Sequence, residues 1–380
     1  MMNNNKERQV RENNYHQASL EQYKHDALKI WPTNIALRPA TYIWLHVVGH
    51  AANMCEGIRL KDWRLILNEA SALNLWWLVF VGKLNALCKP EPDDQEIVFG
   101  MPFGPTQVIW HKYPRACPVE LGLFFALHTE IRQPQDLGRF QDVKEKDWEE
   151  IWNQRMNIPC GCLVRKGELE GRSEFDKLLA SRVTRYLADT NRNKMPRGIR
   201  QVEKILNDLF RPTIDVLSLE EIGFHFMEEV GEVSRVLSDM LMSKTIGESR
   251  GEDDKIVGGR FLEERKKLII SLEEELADVF SWTMSIVAKT RLMLASFDRY
   301  FEDVKDIRTL VRKAIGDQAQ NINIAEIIWR RNGINGSLRC HECKGLECTC
   351  YDDRLQLLIG AKLLPWMVDK IHEAIESFTD

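Results

Sequence analysis

Apolar residues recur along most of this chain at the spacing of one helix face. Ile222, Phe226, Val230, Val233 and Met240 form one stripe, and Leu268, Leu272, Leu276, Val279 and Ile286 repeat it 46 residues later. A third stripe, Ile43, Val47, Ala51, Met54 and Ile58, has the same spacing. Such i, i+4 and i+3 intervals belong to amphipathic α-helices. The pattern predicts helices through most of 19–90, from Asp142 to Met156, over 200–242, 262–292, 297–315 and 322–331, and from Arg354 to Phe378 with a kink at Pro365. Residues 89–118 carry Pro90, Pro92, Pro102, Pro105, Pro114 and Pro118 and read as irregular, and Gly167 to Ser173 reads as a charged turn. Ser243 to Gly259, rich in glycine and charge, reads as a long mobile loop between two helices. Strand signals are sparse, so the fold class is all-α.

A chain of 380 residues has room for two domains. A net charge of −5 gives no general pull toward nucleic acid or an anionic membrane. The start, MetMetAsnAsnAsnLysGluArgGln, has no signal-peptide core, and the longest apolar run, Ala72 to Gly82, is short for a bilayer span. The expectation is a cytoplasmic protein with no membrane partner. Arg182 to Arg200 is locally basic and reads as a solvated face or linker rather than a phosphate-binding run. No Gly-rich phosphate loop, nucleophile elbow or dinucleotide fingerprint is present.

The predicted helices carry chemistry at two places. Glu228-Glu229-Val230-Gly231-Glu232 and Glu274-Glu275-Leu276-Ala277-Asp278 lie in matching register. At about 100° per residue, Glu229 and Glu275 fall inside the apolar face and Glu232 and Asp278 on its edge. Carboxylates aimed at a core are costly without a positive partner. Four of them converging from two helices suit Mg²⁺ or Mn²⁺, which prefer hard oxygen ligands. Glu228 lies about 100° round from Glu229, where it would orient a water or support the ligands. His225 sits one turn before Glu229, where it would meet a phosphate or base, or pack against a neighbour. Lys289 lies farther along the second helix as a substrate-binding candidate, with Lys266, Lys267 and Arg291 nearby.

Glu229-x-x-Glu232 followed by Glu275-x-x-Asp278, with Glu228 ahead of the first pair, resembles the MazG-like all-α nucleoside triphosphate pyrophosphohydrolases. That superfamily includes the dimeric dUTPases and phosphoribosyl-ATP pyrophosphatase. The flanking phrases GluGluValGlyGluVal and GluGluLeuAlaAspValPhe agree, over roughly residues 200–350. The gap between the clusters is longer than usual for the family. The resemblance implies an antiparallel helix bundle holding Mg²⁺ on Glu229, Glu232, Glu275 and Asp278. It also implies cleavage of an NTP or dNTP to the monophosphate and pyrophosphate, and a homo-oligomer, at least a dimer. A non-catalytic nucleotide sensor and a nucleic-acid-binding adaptor are the alternatives. The intact carboxylate set counts against the first, and the negative net charge against the second.

Nine cysteines in a cytoplasmic chain point to metal or buried thiols before disulfides. Cys340-x-x-Cys343 and Cys348-x-Cys350 fall within eleven positions and read as a structural zinc knuckle, with His341 as a substitute ligand. A redox pair or unliganded thiols remain open. Some MazG-like proteins end in a Trp-containing segment followed by clustered cysteines, and Ile328-Trp329 fits that phrase.

The first half reads as a degenerate copy of the second. Ile43 to Asn53 lays over Ile222 to Glu232, which puts His50 and Asn53 where Glu229 and Glu232 stand. Such a half would serve as scaffold, lid or pseudo-dimer partner. Ile109-Trp110 precedes Cys117, and Cys160-Gly-Cys162 echoes Cys348-Thr-Cys350. A second zinc site from His46, His50 and Cys117, Cys160 and Cys162 is the less favoured reading of these residues. The expected organisation is a disordered tail at 1–18, a pseudo-module at 19–165, a linker or connecting helix at 166–200, a catalytic helical domain at 201–335, a cysteine knuckle at 336–352 and a terminal helix at 353–380.

Overall fold

The computed structural model describes residues 17–31, 38–87, 104–162, 173–249, 255–296, 322–334 and 337–348. The expected helices at 297–315 and 354–378, and Cys350, lie outside these residues. Among the described residues the protein is all-α, 78% helix. Among the described residues the named strands are the pair β1 (Gly333–Ile334) and β2 (Ser337–Leu338), antiparallel with Gly333 opposite Leu338.

The first half opens with α1 (Leu20–Ile30), α2 (Ala40–Leu60) and α3 (Trp63–Leu87). Ser19 caps α1, its hydroxyl accepting from the Gln22 amide at 3.1 Å. A left-handed Lys61 (φ 56°) closes α2 and turns the chain directly into α3. Ala72 to Val81 of α3 are all buried, because α1, α2, α11 (Lys255–Ser296) and α12 (Ile324–Asn332) surround the helix. Its Trp63–Asn85 stretch is long and apolar enough to cross a membrane by length and composition, so the run from Ala72 to Gly82 understated it, yet 83% of its most apolar window is buried in the protein.

The second half runs through α8 (Ile199–Leu209), the short α9 (Arg211–Val216), α10 (Leu219–Ser249) and α11. The helical stretch expected over 200–242 is three helices, broken around Phe210, ahead of Pro212, and at Leu217-Ser218. The loop expected from Ser243 to Gly259 is a further correction, since α10 continues to Ser249 and α11 begins at Lys255. A single interior glycine such as Gly247 costs only about 1 kcal/mol, which an established helix absorbs.

Residues 89–118, expected to be irregular, contain α4 (Pro105–Lys112). Pro105 stands in its first turn, where a missing amide proton costs nothing. Helix α4 lies on α11 of the second half, while α12 of the second half lies on α3 of the first. The halves thus exchange helices. A second core joins Trp110 of α4 to α5 (Pro118–His128), α6 (Glu145–Arg155) and α7 (Glu174–Thr190) through Phe125, Trp148, Trp152 and Val183. The segment expected to connect at 166–200 thereby supplies a core helix, α7.

Buried indoles tie the layers together. Trp77, fully buried on α3, donates to the Leu276 carbonyl at 3.1 Å and lies 4.9 Å from the Phe280 ring. Trp44 donates to Ser234 at 2.9 Å and Trp110 to the Ala188 carbonyl at 2.9 Å. Trp77→Ala is expected to cost about 3–5 kcal/mol in denaturant unfolding. A loss below about 1 kcal/mol would contradict its position at the junction of the halves.

Candidate functional site

Helices α10 and α11 pack along each other and bring carboxylate oxygens of Glu229, Glu275 and Asp278 within 4.8 Å of one another. Glu232 is hydrogen-bonded to Glu275 at the edge of this group. The two helices thus bring three of the four expected side chains together, with Glu232 beside Glu275. The helical step also explains why only one of three successive glutamates takes part. Glu273 turns away to His111 (2.8 Å) and Arg185 (2.5 Å), and Glu274 accepts from Ser181. Glu228 points outward, 64% exposed, with its carboxylate 3.3 Å from Nδ1 of His225.

Two residues that the sequence did not single out complete the site. Lys112 and Tyr113, at the end of α4, both donate to Asp278. They arrive from the first half because α4 docks on α11. Trp282 donates to Glu229 at 3.3 Å and stacks on His225, with centroids 5.1 Å apart and planes at 14°. His225 thus stands beside the cluster as a packed ring. Lys289 does not reach it: its ammonium donates to the Ile214 carbonyl at 2.8 Å, three turns beyond Asp278. Arg291 likewise binds the Ile322 carbonyl.

Burial, then the neighbouring Asp278, pushes Glu229 up to about 9, against the pull of Lys112. Burial also raises Glu275 to about 8, with Lys112 opposing and Asp278 and Glu232 adding to the rise. Burial works against the Lys112 ammonium, but Asp278, Glu275 and Glu274 outweigh it and hold its pKa above the ordinary lysine range. Without a second cation, then, Glu229 and Glu275 hold their protons well above the ordinary glutamate range. Clustered hard oxygens that cannot all ionise alone fit a divalent cation, which would displace those protons.

The sign of the pH effect follows. In the unfolded chain these glutamates ionise near 4.5, whereas in the fold they hold protons to about 8 and 9. Stability of the metal-free protein should therefore fall as pH rises from 4.5 through about 8–9. Mg²⁺ binds the ionised set, so its stabilising effect should grow over the same window. Melting temperatures with EDTA or Mg²⁺ should diverge by a few degrees more at about pH 9 than at about pH 6. An equal gap at both would rule out this cluster as the ion's site.

Two thiol groups could also hold a metal. Cys340, Cys343 and Cys348 lie within 4.8 Å of one another, shaped by the Cys340 amide bonding to Gly345 and a left-handed Lys344 (φ 61°). His341 points instead to Arg331 (3.4 Å) and Glu342 (3.8 Å). Cys117, Cys160 and Cys162 form the other group. His46 and His50 are held elsewhere: His46 stacks on Trp76 at 4.1 Å, and burial lowers it to about 4. His50 bonds Glu69 at 2.7 Å, with Asn53 at 3.4 Å and Arg331 at 3.7 Å from the same carboxylate. At the His50 and Asn53 positions the protein therefore has an ion-paired polar set in place of an acidic cluster.

No family model, curated protein or solved structure matches this chain.

Proposed function

We propose that the protein is a MazG-like, Mg²⁺-dependent nucleoside triphosphate pyrophosphohydrolase, cleaving an NTP or dNTP to the monophosphate and pyrophosphate. The observation that carries this reading is the convergence of Glu229, Glu275 and Asp278, with Glu232 beside them, from two packed helices. Those four side chains would hold Mg²⁺ or Mn²⁺, which supplies charge neutralisation for the triphosphate and an activated water. Lys112, the cation already among the acids, swings from Asp278 to the phosphate oxygens when substrate arrives. Tyr113 keeps Asp278 oriented through its hydroxyl. The His225–Trp282 stack offers an aromatic surface beside Glu229 for the base or ribose.

The first half acts in this reading as a degenerate repeat that takes the place of a partner subunit. The exchange of α4 and α12 supports it, as does the contribution of Lys112 to a site whose acids all come from the other half. The Cys340, Cys343 and Cys348 group, completed by Cys350, serves as a structural zinc knuckle pinning α12. Anion-exchange analysis of products from a mixed nucleotide pool tests the activity. Monophosphate with pyrophosphate is expected, and diphosphate with orthophosphate would contradict the proposal. Metal-dependent nucleotide binding without turnover would leave a sensor.

A further inference from the structure

The chain carries a second thiol group that the hydrolytic reading leaves unused. Cys117 is the residue before α5, and Cys160 and Cys162 lie more than forty positions later, beyond α6. The chain is folded back so that all three sulfurs lie within 4.8 Å of one another. Cys117 and Cys160 are 5% and 3% exposed, and the Cys117 and Cys162 sulfurs are 3.6 Å apart. Glu120, one turn into α5, directs Oε1 to the Gly161 amide at 3.2 Å and lies 3.9 Å from the Cys162 sulfur. Three thiols therefore meet at one point, Cys117 and Cys160 buried and Cys162 half-buried, with the half-buried Glu120 carboxylate beside Cys162.

The backbone around this point matches the backbone around the C-terminal knuckle. The Cys160 amide donates to the carbonyl of Leu209, the last residue of α8, at 2.7 Å. The Cys348 amide donates to the carbonyl of Ile30, the last residue of α1, at 2.6 Å. Helices α1 and α8 are both 11 residues long, and their preceding residues, Ser19 and Gly198, pair as an isolated antiparallel bridge. Ser19 and Gly198, Ile30 and Leu209, and Ile43 and Ile222 are all 179 residues apart. One spacing thus relates the helices and the carbonyls that anchor the two cysteine groups. The cysteines are offset by more than that spacing, but in chain order Cys117-x-x-Glu120 answers to Cys340-x-x-Cys343, and Cys160-x-Cys162 to Cys348-x-Cys350. Glu120 takes the place of Cys343. Each group is also preceded by an arginine, Arg115 or Arg339, whose Nε is buried without a partner.

We propose that Cys117, Glu120, Cys160 and Cys162 form a second structural zinc site, the internal counterpart of the C-terminal knuckle. Soft thiolates with one carboxylate in a closed, partly buried group suit Zn²⁺ as a tetrahedral, non-redox ion. Binding releases the three thiol protons, and each sulfur and one Glu120 oxygen donates an electron pair to the ion. The site clamps the α5–α6 segment to α8, which fixes the approach of α4, and with it Lys112, to the acidic cluster.

Metal content of the full chain, purified under reducing conditions without added zinc, tests this. The wild type should carry about two zinc ions, with Cys160→Ser losing one and Cys343→Ser the other. Glu120→Cys, which restores the four-thiolate set, should keep both. If Cys160→Ser fails to fold, cobalt substitution of the wild type decides. Thiolate-to-cobalt absorption should then correspond to a three-thiolate and a four-thiolate site together. A single zinc that disappears entirely with Cys343→Ser would overturn the proposal and leave the C-terminal knuckle standing. So would a Cys117–Cys162 disulfide in the reduced preparation. Loss of zinc from Cys160→Ser with Cys343→Ser unchanged would instead overturn the C-terminal assignment alone.

Discussion

Glu229→Gln is expected to slow pyrophosphate release by about three orders of magnitude or more while raising the stability of the metal-free protein. The two effects have one cause. Burial and Asp278 push Glu229 up to about 9, so above its ordinary range its charge is costly to the fold until a cation meets it. Glutamine keeps the shape and the hydrogen bond from Trp282 but has no charge to desolvate and none to give a divalent ion. At about pH 8 in EDTA the variant should melt above the wild type, and Mg²⁺ should widen its margin less. Calorimetric scans beside a pyrophosphate assay read both. A variant that is inactive and also destabilised without metal would mean that Glu229 is a structural acid. One that stays active would remove it from the site.

Lys112→Met should separate metal binding from turnover in opposite directions. The ammonium bonds Asp278 and faces Glu275, so in the resting site it competes with a divalent cation for the same charge. Methionine keeps most of the side-chain length without that competition, and titration calorimetry should find Mg²⁺ bound more tightly in the absence of nucleotide. Turnover should fall about ten- to a hundredfold, because in the proposed reading the Lys112 ammonium meets the phosphates. Weaker Mg²⁺ binding together with unchanged turnover would make Lys112 a packing residue and remove the catalytic part given to α4.

How far the sequence reached is visible in these two residues. Glu229 was legible because a helical period is local: the stripe Ile222, Phe226, Val230 and Val233 defines a buried face, and a carboxylate within that face stands out. Lys112 was not, because it reaches Asp278 only when α4 docks on a helix 166 positions away, and no local pattern encodes such a pairing. Pro105 and Pro114 also disguised α4 as irregular chain, although a proline at the head of a helix is favourable. Lys289 failed for the complementary reason. Its position on α11 was right, but three turns of helix carry it past the acids to the Ile214 carbonyl. At Ser243 to Gly259, glycine and charge suggested a loop, but 243–249 continue α10 and 255–259 belong to α11. The Cys117, Cys160 and Cys162 group was legible as an echo of the C-terminal cysteines but ranked as the less favoured zinc reading, because α5 and α6, inserted between Cys117 and Cys160, stretch the spacing past forty residues.

The reading as a hydrolase rests on the acidic cluster working with a divalent cation on a triphosphate. The most direct measurement is pyrophosphate release from each of the common NTPs and dNTPs, with Mg²⁺ and with EDTA, for the wild type beside a Glu229→Gln/Asp278→Asn double variant. Release from at least one nucleotide that needs Mg²⁺ and vanishes in the variant is the expected result. Release that persists in the double variant, or no release from any nucleotide in the presence of Mg²⁺, would contradict it.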